Sequence, residues 1–173
     1  LDHDKIYKDV LLKKIEEEAK KEQERVDKLL NEFKQKKGRQ PTKKEKNELN
    51  GRVAQMISIV FDLKSENTFT ATSGYSPPIE DFHPKLRSLM PNPGLEPKDN
   101  LEVTRRHPKE CAEVQAVNDA LKARIDAKIE DFIIATFKTK SIIPRERCEN
   151  CKVTLKDAIV YTDKLAQKEF SDD

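Results

Sequence analysis

The hydrophobic pattern divides the chain into a long narrow-striped helix, a second helix, and then alternating strand and helix signals. In residues 4–37, Leu12, Ala19, Val26 and Phe33 recur every seven positions, with Ile15 and Leu29 on alternate positions and Glu22 interrupting the seam. So narrow a stripe belongs to a coiled coil or to a solvated helix lying against a domain or linking it to something else. The Glu in a seam of fewer than about five heptads favours the solvated helix. Gly38 suits a left-handed C-terminal cap, Pro41 bars continuation, and Thr42 with Glu45 forms a capping box for a second helix. The pattern extends that helix to about Leu63, with Leu49, Val53, Met56, Ile57 and Val60 on one face.

Thr68-Phe69-Thr70-Ala71-Thr72 alternates and ends at Ser73-Gly74, which predicts the first strand of a sheet. Residues 77–97 form a proline-rich irregular connection with a short helical piece around His83–Met90. Leu101–Thr104 reads as a short strand. After Pro108, which suits a first helical turn, Val114, Val117, Leu121 and Ile125 recur at helical spacing among small alanines. That spacing puts Cys111 in the first turn of a helix. Phe132–Phe137 is almost continuously apolar, as in a strand covered on both faces. A second helix start carries Cys148 and Cys151 and ends near Lys156, and Ala158–Thr162 is a further buried strand. Strand, helix and strand in so short a span imply a parallel pair with a right-handed crossover. The polar tail from Lys164 has room for a short helix. The class is α/β, divided into a charged helical extension or linker over residues 1–41 and a domain over 42–173.

Composition adds two points. Charged residues make up 38% and hydrophobic residues 35%, so the chain cannot be all core, and the net charge of +2 does not by itself argue for nucleic acid. Locally, Lys34, Lys36, Lys37, Arg39, Lys43, Lys44 and Lys46 face only Glu45, a cluster able to neutralise phosphates or simply a solvated corner. Lys36 and Lys43 there, and Arg147 in a second basic run with Lys138, Lys140 and Arg145, are candidate contacts to a nucleic-acid backbone. There is no transmembrane run, signal peptide, GxGxxG, P-loop or Ser/His/Asp constellation. A chain that starts at Leu1 without Met is expected to be a piece of something longer.

The chemistry resides in the cysteines. All three fall in two motifs, Cys111-Ala112-Glu113 and Cys148-Glu149-Asn150-Cys151. Three thiolates can hold Zn²⁺ and leave its fourth tetrahedral position open, whereas a structural site is usually closed by four protein ligands. A helix start favours a thiolate at Cys111. Glu113 lies about 200° further around the helix, so it can reach a reacting water without competing as a ligand. Other readings are cysteines acting as small buried hydrophobes, or a redox-active C-x-x-C. An odd number of cysteines, all explained by metal, argues against a disulfide framework and for a reducing site of action. Arg105 and Arg106 next to the first motif could bind substrate phosphate. His107 suits a pocket wall or a cap better than a fourth ligand.

Cys-Ala-Glu with a later C-x-x-C resembles the cytidine deaminase superfamily. The wider context, His107-Pro108-Lys109-Glu110-Cys111-Ala112-Glu113-Val114-Gln115-Ala116 and then Arg147-Cys148-Glu149-Asn150-Cys151, resembles the YwqJ-like deaminase domains of bacterial polymorphic toxins. The resemblance covers roughly the second half of the chain. The superfamily usually has a proline directly before the first Cys of the C-x-x-C, whereas this chain has Arg147, with Pro144 the nearest proline. The resemblance implies a three-layer α/β/α sheet with the helical extension added, Zn²⁺ held by Cys111, Cys148 and Cys151, and Glu113 as the proton-moving group. It makes Thr72 and Ser73 candidate substrate contacts, beside His107 and Arg106. The expected reaction is hydrolytic deamination, cytosine to uracil in DNA, with RNA or free nucleosides as alternative substrates. The expected setting is a toxin secreted or delivered within a larger polypeptide. It would act in the cytoplasm of a target cell and be held by a cognate immunity protein. The rival from another class is a zinc-stabilised nucleic-acid-binding module with no catalysis.

Overall fold

The computed structural model describes residues 2–50, 56–73, 78–90, 111–139, 144 and 154–162. Among them lie a helical N-terminal segment and a four-stranded mixed sheet, an α/β arrangement. The segment begins with α1 (His3–Ile6), capped by the Asp2 carboxylate, which accepts hydrogen bonds from the Asp4 and Lys5 N–H groups. It continues through a π-helical turn (Tyr7–Leu11) into α2 (Leu12–Lys37). The buried stripe is Tyr7, Leu11, Ile15, Ala19 and Glu22. Steps of four overshoot a helix of 3.6 residues per turn, and the wider π turn takes up part of the overshoot. Val26, Leu29 and Phe33 of the heptad seam are only half-buried.

Gly38 ends α2 in the left-handed conformation (φ 65°) and its N–H donates to the Lys34 carbonyl. Thr42 and Glu45 exchange both capping-box hydrogen bonds, at 3.1 and 3.2 Å, and start α3 (Lys43–Asn50). The second helix does not reach Leu63. The chain is a strand, β1 (Met56–Asp62), with all but the first residue buried. β-branched Ile57, Ile59 and Val60 favour the pleat. A central strand covered on both faces loses the alternation that would have marked it, so its continuous apolar run also fits a helical template.

β1 is flanked by β2 (Thr68–Thr72) and β3 (Phe132–Lys138), both antiparallel to it. β4 (Ile159–Val160) lies parallel to β3, as the strand–helix–strand pattern predicts. The order is β2-β1-β3-β4, so Thr68–Thr72 is a strand but the second in the chain, at an edge. β4 is shorter than Ala158–Thr162, because the backbone is already helical at Tyr161 and Thr162.

Side chains alternate across this sheet. Ile57, Ile59 and Phe61 with Ile133, Ala135 and Phe137 form one cluster with Tyr7, Leu11, Ile15 and Ala19 of the N-terminal segment. Val60, Phe132 and Ile134 form the other with Val114, Val117 and Leu121 of α5 (Ala112–Ala123), joined by Phe82, Leu86 and Met90 around the short helix α4 (Pro84–Arg87). α5 stops at Ala123, so Ile125 does not continue its apolar stripe and is 96% exposed. Among the described residues no helix is long and apolar enough to cross a membrane. The expected strand at Leu101–Thr104 lies outside the described residues.

Candidate active site

Two anchors orient α5. At its C-terminal end Arg124 donates to Asp62 through Nε and Nη2, both at 3.0 Å, and to Asp131 through Nη2 at 2.8 Å. Asp62 closes β1 and Asp131 directly precedes β3, so this clamp marks one end of the sheet. Burial works to raise the Asp62 carboxyl. The hydrogen bonds from Arg124 and the Lys64 N–H outweigh it and hold the group below the usual carboxylate range. Asp131 is held low in the same way, against burial, by Arg124 and the Lys128 N–H. Near the middle of α5, the Asn118 side-chain Oδ1 accepts from the His83 backbone N–H at 2.7 Å and ties on the α4 segment.

A helix of twelve residues is about 18 Å long, close to the span of a seven-residue strand. With its C-terminus clamped at Asp62, the start of α5 lies toward the opposite end, where β1 begins and β3 ends. Cys111 is there. It is the residue that caps α5, with extended backbone (φ −73°, ψ 134°), not a member of the first turn, and its side chain makes no capping hydrogen bond. The cause is local, since helical backbone starts only at Ala112. Cys111, buried with 5% exposure, sits at the start of the helix, where the positive end of the dipole favours negative charge. Glu113, the second helical residue, is also buried, at 6%. A carboxylate there is favoured by the same helix end.

The sheet contributes hydroxyls at this end. Ser58 and Thr136 are paired across β1 and β3, fully buried on the α5 face, with their oxygens 2.8 Å apart. The Thr136 N–H donates to the Thr162 hydroxyl at 3.0 Å, where β4 has already stopped. Thr139 and Thr154 bury hydroxyls that have no partner among the described residues. Sequence reading missed Ser58 and Thr136. Their signal was a small polar residue inside each of two otherwise apolar strands, which a doubly covered strand does not carry without a partner.

The predicted residues separate by position. Ser73 continues the row of Ala71 and Phe69, which pack toward α5, and its hydroxyl accepts from the Met56 N–H at 3.0 Å. Thr72 is paired with Ile57 and lies on the opposite face, with the N-terminal helix. Lys36 and Lys43 are exposed at the α2–α3 corner. Cys148, Cys151, Arg147, His107 and Arg106 lie outside the described residues. Pro144, the proline nearest the second cysteine motif, bridges Phe137 of β3. β3 ends at Lys138, ten residues before Cys148. Leu155, four residues after Cys151, is fully buried in the same cluster as Cys111 and Val114.

Compared with models of known protein families, with curated proteins and with solved structures, the chain matches none.

Proposed function

We propose that the chain is a zinc-dependent nucleobase deaminase of the cytidine deaminase superfamily, hydrolysing cytosine in DNA to uracil and ammonia. The observation that carries this reading is the pairing of Cys111 and Glu113, both buried at the start of α5, at the sheet end where β3 stops ten residues before Cys148. The return of Leu155 to the Cys111 cluster supports it, because Cys151 is only four residues upstream. Apolar clusters on both faces of the sheet support a three-layer α/β/α architecture, with the N-terminal helix as one outer layer.

Cys111, Cys148 and Cys151 would hold the zinc. The donor set fits, since thiolates are soft ligands and Cys111 stands where the helix end favours the anion. When bound there, zinc supplies the Lewis acidity that makes water a nucleophile near neutral pH. Glu113 takes one proton from the attacking water and delivers it to the ring nitrogen, then takes the second proton, from the newly added hydroxyl, and delivers it to the amino group, which leaves as ammonia. Water adds at the amine-bearing carbon and the carbon–nitrogen bond breaks, so one water enters and one ammonia leaves. Ser73 lies on the same face as α5 and is the better placed of the two strand-end candidates to meet a base. The setting is that of a toxin domain within a larger polypeptide, neutralised by an immunity protein.

The test compares Glu113→Ala with Cys148→Ala in zinc content, melting temperature and uracil formation. The substrates are single-stranded DNA, duplex DNA, RNA and cytidine. Glu113→Ala should keep zinc and fold while losing at least about 10²–10⁴ in rate. Cys148→Ala should lose zinc and stability together. A Glu113→Ala protein that still forms uracil at near wild-type rate would remove the catalytic assignment even if zinc is present.

A further inference from the structure

The corner between α2 and α3 concentrates positive charge, whereas the rest of the chain is net negative. Between Lys34 and Lys46 stand seven basic residues and one acid, in a chain whose net charge is only +2. Arg39 and Glu45 cancel one another, since the guanidinium forks onto both carboxylate oxygens at 2.8 and 3.2 Å. That contact holds Glu45 down to about pKa 2 and fixes its charge. Arg39 also lies over the Phe33 ring, 5.4 Å from its centre, so it clips α2 to α3. What remains is six exposed lysines, none in an ion pair among the described residues.

Upstream on the same helix the pattern is different. Acids interleave with the bases: Lys14 pairs with Glu17, Lys21 with Glu18 and Arg25 with Glu22, each at a spacing of three, and Lys13, Lys20 and Lys28, in no ion pair among the described residues, still stand among Glu16, Glu24 and Asp27. An ordinary solvated helix surface looks like that stretch. At the corner, Lys43 and Lys44 occupy the first two positions of α3, where the helix dipole disfavours cations. Lys34, Lys36 and Lys37 suit the dipole at the end of α2, but Lys43 and Lys44 oppose that of α3, and the six together have no carboxylate partner among the described residues.

We infer that the α2–α3 corner is a docking surface for the phosphate backbone of duplex nucleic acid, binding without reading sequence. Lysines act as point charges toward phosphate and do not fix base identity. A membrane is the poorer fit, because Phe33 is half-buried under Arg39 and Leu49 is buried, which leaves no fully exposed apolar side chain at the corner among the described residues. Single-strand stacking is not served either, since no exposed aromatic interleaves the lysines. The surface is independent of Glu113 and holds whether or not the chain is a deaminase.

The experiment measures binding of the whole chain to a labelled duplex of A·T pairs only, so that no cytosine is offered to the other site, over a range of salt. Lys36→Glu with Lys43→Glu should weaken binding at least about tenfold at 0.1 M salt and flatten the salt slope by roughly 0.9 per lost contact. Lys8→Glu with Lys13→Glu makes the same charge change at the other end of the helix and should leave affinity nearly unchanged. The corner variant should melt close to wild type, because Lys43→Glu puts an anion at the favourable start of α3 while Lys36→Glu puts one at the unfavourable end of α2. Lys37→Gln with Lys46→Gln repeats the test without charge reversal. Equal losses from the corner and the control pairs would overturn the inference in favour of general charge. So would an unchanged slope, or a loss seen on phosphatidylserine vesicles but not on the duplex.

Discussion

The two ends of the sheet are built from opposite materials. At the Asp62 end, full charges meet full charges: Arg124 is held by Asp62, Asp131 and, at 3.4 Å, Asp126, and the contacts are short and multidentate. At the Met56 end there are hydroxyls, a buried thiol and a buried carboxylate at a helix start. The same helix, α5, joins both. A helix fixed by its C-terminus does not need its first turn as an anchor, and the positive end of its dipole is then available to favour anions. The fold can therefore hold a group such as Glu113 buried, in a place where its charge contributes little to holding the helix down.

The largest effect expected from breaking this contrast is at the clamp. Arg124→Ala leaves Asp62, with a side chain only 1% exposed, without its principal partner. Breaking a buried pair by removing one member costs more than the pair contributes. The melting temperature should fall by several degrees, more than for any substitution below. The pH dependence gives a second handle. Asp62 and Asp131 are held below the ordinary carboxylate range, so the stability they confer is complete above about pH 4 and is lost as the pH falls through their lowered values. Thermal melts between pH 7 and pH 2 should show that acid loss in the wild type and a shallower one in Arg124→Ala. Parallel acid profiles would mean that the clamp is not what holds α5.

This contrast was only half legible in the sequence. The two cysteine motifs are legible as candidates because thiols and a carboxylate at fixed spacing have few structural uses, and the helix their spacing predicts starts one residue later, at Ala112. The clamp was not visible. Asp62, Arg124 and Asp131 are ordinary charged residues in a chain rich in them, brought together only by the pairing of Asp62 with Phe132. β1 failed for a related reason. Its hydrophobic run matched a helical stripe by coincidence, and only burial on two faces distinguishes the cases. The N-terminal helix shows the reverse. Of its heptad seam Ile15, Ala19 and even Glu22 are buried, but the stripe then runs through Leu11 and Tyr7 instead of Leu12, and Val26, Leu29 and Phe33 stay half-buried, because only the first half of the helix meets the sheet.

The next effect in size belongs to the hydroxyl pair. Ser58→Ala strands the buried Thr136 hydroxyl, which should cost about 1–3 kcal/mol, as for any buried polar atom deprived of its partner. Adding Thr136→Val should recover much of that loss, because removing both partners together leaves nothing unsatisfied. Denaturant melts of both singles and the double give the coupling directly. Strictly additive losses would show that the two oxygens do not depend on each other, and the site end would then be less tightly specified than the clamp end.

The smallest effects distinguish the two neighbours at the end of β2. The Ser73 hydroxyl accepts the Met56 N–H on the α5 face, so Ser73→Ala should cost about 1 kcal/mol. Thr72 lies one residue earlier on the opposite face and is half-buried against the N-terminal helix side. Thr72→Val keeps the branched shape suited to a strand and should change stability by less than about 0.5 kcal/mol. Under the deaminase reading the activities should divide in the same way. Ser73→Ala should raise KM, because a group on the α5 face is lost, whereas Thr72→Val should leave both kcat and KM where they were. Equal effects of the two on KM, measured on variants of matched stability, would mean that the base does not enter from the α5 face. Ser73, Ser58 and Thr136 would then be part of the core and not of the site.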